Sequence, residues 1–286
     1  MNSSDYMAAA AAFELRLPHR MKSSIVGDRL GPNVGSSLEF QDYRNYTPGD
    51  DPRHVDWAAY ARRDELVVRL HREEVTANLD IILDTSSSMA STDVKRERVL
   101  ELTRLLAHLG QTDRLRTTLW LTGAQPKRIN EGIREHIDSL NFDESHGLES
   151  LLQQPLRLPK HGVRVVISDF LCPHAPSDII RPLQRDATLC TLIQVLDAGE
   201  HAPQSDGGRR LTDVETAETL DIILNEQTTG DYLSRLAALT ASYQEQIQTT
   251  GGRLIRAVAN QDLLSLCRGP FLAGGLLLPR NVGGAT

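Results

Sequence analysis

The run Asp84-Thr85-Ser86-Ser87-Ser88-Met89 sets one carboxylate and two hydroxyls at alternate positions, a D-x-S-x-S spacing. Three hard oxygen donors on one short loop suit Mg2+ or Mn2+ far better than zinc, which takes nitrogen and sulfur. The alternative is a Ser-rich loop that only caps the next helix. A second carboxylate, Asp169, follows the apolar run 163–168. If both segments are strands of one parallel sheet, Asp84 and Asp169 share its carboxyl edge, where ligands of open α/β sheets bind. Two carboxylates so placed repel unless a cation sits between them. The stretch 141–148 adds a candidate hydroxyl from an intervening loop. For Asp169 the alternative is again a cap on the following helix or turn.

Such a site needs a sheet to position it. From about residue 78 onward, short β-rich apolar runs alternate with amphipathic segments, the pattern of a parallel sheet covered by helices on both faces. The run 79–83 is continuous rather than alternating, which predicts a central strand, and 117–121, 163–168, 188–195 and 253–258 are the further strands. Residues 94–109 carry Val99, Leu102, Leu106 and Leu109 on one helical face, with Thr92 as N-cap and Gly110 as C-cap. Residues 231–248 repeat that logic with Leu233, Leu236, Tyr243 and Ile247, and Gly251-Gly252 stops them. Residues 201–224 break the alternation, and their two strand-like pieces, 210–214 and 219–224, predict a β-hairpin insertion. The expected fold is α/β, a doubly wound and mostly parallel sheet over residues 76–286. Residues 1–75, with several Gly and Pro and few long apolar runs, are expected to be an N-terminal extension packed on it.

Composition narrows the function. Lys and Arg number 31 against 38 Asp and Glu in 286 residues, a net charge of −7. Neutralising phosphates needs a clustered basic surface, so a general nucleic-acid binder is not expected. Cys172, Cys190 and Cys267 are widely spaced and form no C-x-x-C pair. A disulfide framework or thiolate zinc site is therefore not expected, and a reducing compartment fits. The apolar run 7–13 has no basic residue ahead of it, and 270–279 is far short of a bilayer span of roughly 18 to 20 residues. The expectation is a cytoplasmic protein without membrane insertion.

A second dense stretch, residues 38–57, reads LEFQDYRNYTPGDDPRHVDW. Pro48-Gly49-Asp50-Asp51-Pro52 is a turn by composition. Arg44, Arg53, Asp50 and Asp56 are expected to pair as a structural clasp, and Asp50, Asp51 and Arg53 are the candidates for partner binding if the turn is functional. Its aromatics and Trp57 carry enough apolar area that the segment is expected to pack against the α/β unit.

The block 38–57, then Ala61-Arg62 and Leu66-Val67-Val68-Arg69, leading into residues 79–89, resembles the bacterial "domain of unknown function 58" family. It is similar to that family's E-F-x-x-x-R-x-Y-x-x-G-D-D-x-R-x-x-D-W block followed by a strand and D-x-S-x-S-M. The family looks like a von Willebrand factor type A domain, and the resemblance implies a metal-ion-dependent adhesion site. It makes Asp84, Ser86 and Ser88 the first metal loop and Asp169 the third. Where relatives carry Gly-Gly-Thr in the second loop this chain has Asp143-Glu144-Ser145-His146-Gly147-Leu148, with Ser145 or His146 at the threonine position. The resemblance further implies a partner, a MoxR-type AAA ATPase, with this chain as adaptor or co-chaperone.

Three functions follow as expectations. The first is a non-enzymatic, metal-dependent protein-binding module whose cation accepts an acidic side chain from a partner. The second is a haloacid-dehalogenase-like, Mg2+-dependent phosphatase, which needs a second acid two residues after the first, where this chain has Ser86. The third is a metal-free structural or interaction domain.

Overall fold

The computed structural model describes residues 4–18, 40–48, 50–71, 77–142, 146–204, 207–212 and 219–280. Two units separate by contact: one holds the chain up to Pro18 together with everything from Ala77 on, the other residues 19–76. The expected extension therefore divides. Helix α1 (Ser4–Ala12) leads into strand β1 (Phe13–Leu15), which pairs antiparallel with the last strand, β12 (Leu277–Pro279), and so belongs to the α/β unit.

In the smaller unit, β2 (Phe40–Asn45) and β3 (Val67–His71) form an antiparallel pair. Between them lie a 3-10 turn, Pro52–His54, and helix α2 (Trp57–Arg63), each started by an aspartate. Asp51 Oδ1 accepts from Arg53 N at 3.0 Å, and Asp56 Oδ1 accepts from Ala58 N and Ala59 N at 3.0 Å each. Those bonds satisfy N–H groups that a helix start leaves without carbonyl partners.

The larger unit is built on a six-stranded sheet in the order β11-β8-β7-β4-β5-β6. Its strands are β4 (Asn78–Leu83), β5 (Arg116–Leu121), β6 (Lys127–Ile129), β7 (Val163–Ser168), β8 (Leu189–Leu196) and β11 (Arg253–Val258). All pairs are parallel except β5 with β6. The connecting helices are α3 (Asp93–Thr112), α4 (Ile133–Asp138), α5 (Ser150–Gln153), α6 (Pro176–Gln184), α7 (Ala198–His201), α8 (Glu226–Gln248) and α9 (Leu263–Leu266). The five expected strands are all present, each within a residue of its predicted ends. Missing from the expectation was β6, whose three residues are too short to show a period.

Pleating sends alternate residues to opposite faces. Ile82 of β4, Val166 of β7 and Leu192 of β8 share a core with Ile179 and Ile180 of α6 and with Tyr243 and Ile247 of α8. On the other face α3 lies close to Leu79 and Thr117. A Cβ at Gly110 would collide with both, so that glycine marks a close helix–sheet approach. It was expected to cap α3, but the helix runs on to Thr112 and is capped at Asp113. Thr92 does cap its start, accepting from Lys95 N at 3.1 Å. The expected insertion is an antiparallel hairpin of β9 (Gly207–Thr212) and β10 (Thr219–Leu224), starting three residues earlier than predicted. Residues 213–218, where its first strand was expected to finish, lie outside the described residues.

Candidate metal centre

The chain order reverses at β4. One crossover leads from it to β5, and the return after β6 brings β7 to its other side. The carboxyl ends of β4 and β7 therefore flank the crevice in which ligands of doubly wound sheets bind. Both ends continue the ladder one residue into the loops. Asp84 N donates to Ile167 O at 3.0 Å, and Thr85 N donates to Thr122 Oγ1 at 3.0 Å, so the first loop is tied to both neighbouring strands.

On this frame three of the expected donors meet. Asp84 Oδ1 accepts from Ser86 N at 3.0 Å and from Ser86 Oγ at 2.7 Å, and Ser86 Oγ lies 3.1 Å from Ser88 Oγ. Asp84 and Ser86 are buried, and Met89 beneath the loop is fully so. From the adjacent strand, Ser168 Oγ donates to Asp84 Oδ2 at 2.7 Å and accepts from Phe170 N at 3.0 Å. Phe170 is buried with φ of 56°, in the left-handed region that a bulky residue enters only when its surroundings hold it there. Its ring packs on Tyr243, centroids 5.1 Å apart.

Asp169, the expected third-loop carboxylate, is buried at the same edge but is already engaged. Its Oδ2 accepts from Lys95 Nζ at 3.0 Å, and its Oδ1 from Leu171 N at 3.1 Å. Lys95 Nζ also donates to both carboxylate oxygens of Glu200, at 2.8 and 3.0 Å. The second loop comes close as well. A Cβ at Gly147 would sit 2.9 Å from Asp84 Oδ1 and 3.2 Å from Glu149 Oε2, so only glycine lets the backbone pass there. Ser145 lies outside the described residues, as do Asp143 and Glu144.

Electrostatics follow from that packing. Burial, and next the charge of Asp169, push the Asp84 carboxyl up to about 6, against the pull of the Ser86 and Ser168 bonds. Burial works to lower the Lys95 ammonium, but Asp169 and Glu200 outweigh it and the net shift is upward. The cation demanded by two neighbouring carboxylates is thus present at Asp169 as a lysine. Among the described residues no three His, Cys, Asp or Glu side chains converge in a metal-binding geometry. Any cation here would rest on Asp84 and the two hydroxyls, a donor set that fits Mg2+ or Mn2+.

Lys95, Glu200, Ser168 and Glu149 were absent from the sequence-derived site. Lys95 left a signal, since it stands four residues before Val99 on the apolar stripe of α3, where a charge has to find a buried partner. Asp197-x-x-Glu200 reads as a capping box, which it forms around α7.

Beside Thr85 opens a cleft of about 600 Å3, lined by Thr122, Lys127, Arg128, His136, Ser139 and Asn141 among others. Lys127 and Arg128 in its wall favour an acidic ligand. Arg128 is steadied by stacking on Trp120, 5.3 Å from the ring centroid.

In the turn of the smaller unit Arg44 pairs with Asp50 as expected of the clasp, whereas Arg53 pairs with Asp51, which the clasp did not include. Arg44 Nη2 meets Asp50 Oδ1 at 2.9 Å, Arg53 Nη2 meets Asp51 Oδ2 at 2.6 Å, and Asp56 caps α2. Within the smaller unit Trp57 has Tyr60 edge-on to it, ring centroids 6.3 Å apart.

The fold and this edge define a mixed α/β protein with a mostly parallel, helix-flanked sheet and a buried cluster of hydroxyls and carboxylates at its switch point. The chain belongs to the family described as "Protein of unknown function DUF58", whose model matches residues 42–241. It is 26% identical over 281 residues to uncharacterised proteins of Mycobacterium tuberculosis and Mycobacterium bovis, covering 90% of this chain and 86% of theirs. Among solved structures it is similar to BatB from Bacteroides thetaiotaomicron, with TM-score 0.37 and 12% identity over 64% of this chain and 90% of that one. An aerotolerance-related membrane protein from Bacteroides fragilis gives TM-score 0.37 and 13% identity over 63% and 91%. Among the described residues no helix is long and apolar enough to cross a membrane.

Proposed function

We propose that this chain is a non-enzymatic, metal-dependent protein-binding module of the von Willebrand factor A type, acting as an adaptor or co-chaperone for a MoxR-type AAA ATPase. The observation that carries the proposal is the preassembled oxygen set of Asp84, Ser86 and Ser88, with neighbours 2.7 and 3.1 Å apart. A Mg2+ or Mn2+ ion held largely by neutral hydroxyls keeps enough positive charge to take a carboxylate from a partner as its last ligand. Asp169 then acts from behind Lys95 rather than as a free ligand, and Ser168 fixes the orientation of Asp84. The basic cleft beside Thr85 supports an acidic partner segment. Phosphatase chemistry is disfavoured because Ser86, which stands where the second acid is needed, is spent on a hydrogen bond to Asp84. The turn residues Asp50, Asp51 and Arg53 are offered as a second contact for the same partner.

The test is calorimetric titration of Mn2+ into the wild-type chain and Ser86→Ala, followed by binding to a MoxR-type ATPase in Mg2+ and in EDTA. Wild type should bind both, and the variant should still fold, with a midpoint lowered in EDTA by the loss of one buried hydrogen bond, but lose both. Partner binding that is equal in Mg2+ and EDTA, with Ser86→Ala altering only the midpoint, would leave the loop a helix cap.

A further inference from the structure

Lys95 occupies a position that nothing about a lysine favours. It is fully buried, and it stands in the first turn of α3, where the helix dipole repels a cation. Its partners explain it. The three ammonium protons are answered by Asp169 Oδ2, from the loop after β7, and by the two oxygens of Glu200, from α7 after β8. Glu200 is itself fixed, because its Oε2 also accepts from Asp197 N at 2.7 Å. Without the ammonium, Asp169 and Glu200 would face the same point as two unmatched carboxylates, at the sheet edge where the charge of Asp169 already raises the Asp84 carboxyl.

We infer that Lys95 is a built-in counter-cation that occupies the Asp169 side of the site and holds its affinity for divalent cations down, so that the ion is kept firmly only when a partner adds a carboxylate. The inference rests on the metal-dependent binding proposed above. An ammonium 3.0 Å from Asp169 cancels the charge that would otherwise draw a divalent ion toward that carboxylate. Exchanging the lysine for a neutral side chain returns that charge to the site. Exchanging Glu200 for its amide does the opposite, since more of the ammonium charge is then unopposed.

Calorimetric titration of Mn2+ into the full chain tests this with Lys95→Met, Glu200→Gln and Ser86→Ala beside wild type. Lys95→Met should bind Mn2+ about tenfold more tightly or better, and its midpoint, lowered in EDTA, should gain more from added Mn2+ than the wild type does. Glu200→Gln should bind Mn2+ more weakly than wild type. A purely structural ion pair predicts no such opposite movement, because breaking it from either end only destabilises the fold. The inference is overturned if Lys95→Met binds no more tightly than wild type, or if both variants shift affinity in the same direction. Should Lys95→Met fail to fold, Glu200→Gln decides alone, with unchanged or tighter binding overturning the inference. Failure of the underlying reading looks different, since then the wild type binds no Mn2+ or binds it independently of Ser86.

Discussion

Four residues before Asp84, the same strand buries another carboxylate, Asp80, in register with Arg164 of β7. There the charge is shut in the core, with Asp80 Oδ2 and Arg164 Nε left without a hydrogen-bond partner. Asp80 Oδ1 accepts from Trp120 Nε1 at 2.8 Å, while Arg164 ties the carbonyls of Leu183, Arg185 and Pro159 at 2.6 to 2.9 Å. Burial raises the Asp80 carboxyl, with Trp120 and then Arg164 opposing. At the carboxyl end of the same two strands the partners are hydroxyls, a glycine backbone and a second carboxylate, placed where loops leave the sheet. Buried charge alone therefore does not mark a functional site in this molecule. What distinguishes the Asp84 end is that its donors are small oxygens which a cation can take over.

The largest expected effect breaks the closed end. Arg164→Met leaves three carbonyls without the guanidinium that donates to them and removes the charge that opposes burial at Asp80, and each buried acceptor left unmet costs about 1 to 3 kcal/mol. Thermal unfolding should show a midpoint lowered by roughly 10 °C, at about 2 to 4 °C per kcal/mol for a domain of this size. Added Mn2+ should raise this midpoint only by as much as it raises the wild type's. A larger gain than the wild type's would mean that the two ends of the strands are not independent.

The next effect separates the ends by pH. Asp84 holds its proton more tightly in the folded chain, at about 6, than at its ordinary value of 3.8. Its protonation therefore contributes stability that is complete below about pH 4 and lost as pH rises through about 6. Asp84→Asn cannot ionise; its one oxygen can keep accepting from Ser86 N while its NH2 donates to Ser168 Oγ, which now accepts. In EDTA the variant should gain on wild type between pH 4 and pH 7.5, by up to about 3 kcal/mol. Chemical unfolding at both pH values checks this, and a difference that does not change with pH would show that Asp84 carries no strained charge.

Much of this was legible because it rests on local rules. The continuous run at β4, the cap at Thr92 and the carboxylates after β4 and β7 each follow from neighbours in sequence, and the topology then brings Asp84 beside Asp169. What was not legible depends on long-range contact. Lys95 lies 74 residues from Asp169 and 105 from Glu200, so nothing local announces that its charge is spent inside. Gly110 looked like a helix stop because glycine serves both ends and close approaches, and only the neighbouring Leu79 and Thr117 tell these apart. The split of the first 75 residues turns on Phe13–Leu15 pairing with the other end of the chain, a contact that three residues cannot encode in a pattern.

The smallest effect on stability belongs to the turn of the smaller unit, and it tests whether a second surface takes part in recognition. The Arg53 side chain is 87% exposed, and its pair with Asp51 lies in solvent, where water and salt screen it and ordering two side chains offsets the attraction. Asp51 keeps its bond from the backbone N–H of residue 53 whatever side chain stands there. Arg53→Ala should therefore leave the thermal midpoint where it is. If the turn contacts the partner, that variant weakens binding to a MoxR-type ATPase in Mg2+ while leaving Mn2+ affinity unchanged, because its guanidinium acts apart from the metal. Ser86→Ala should lose both. Should Arg53→Ala instead lower the midpoint and leave affinity intact, the turn is a structural clasp and recognition rests on the sheet edge alone.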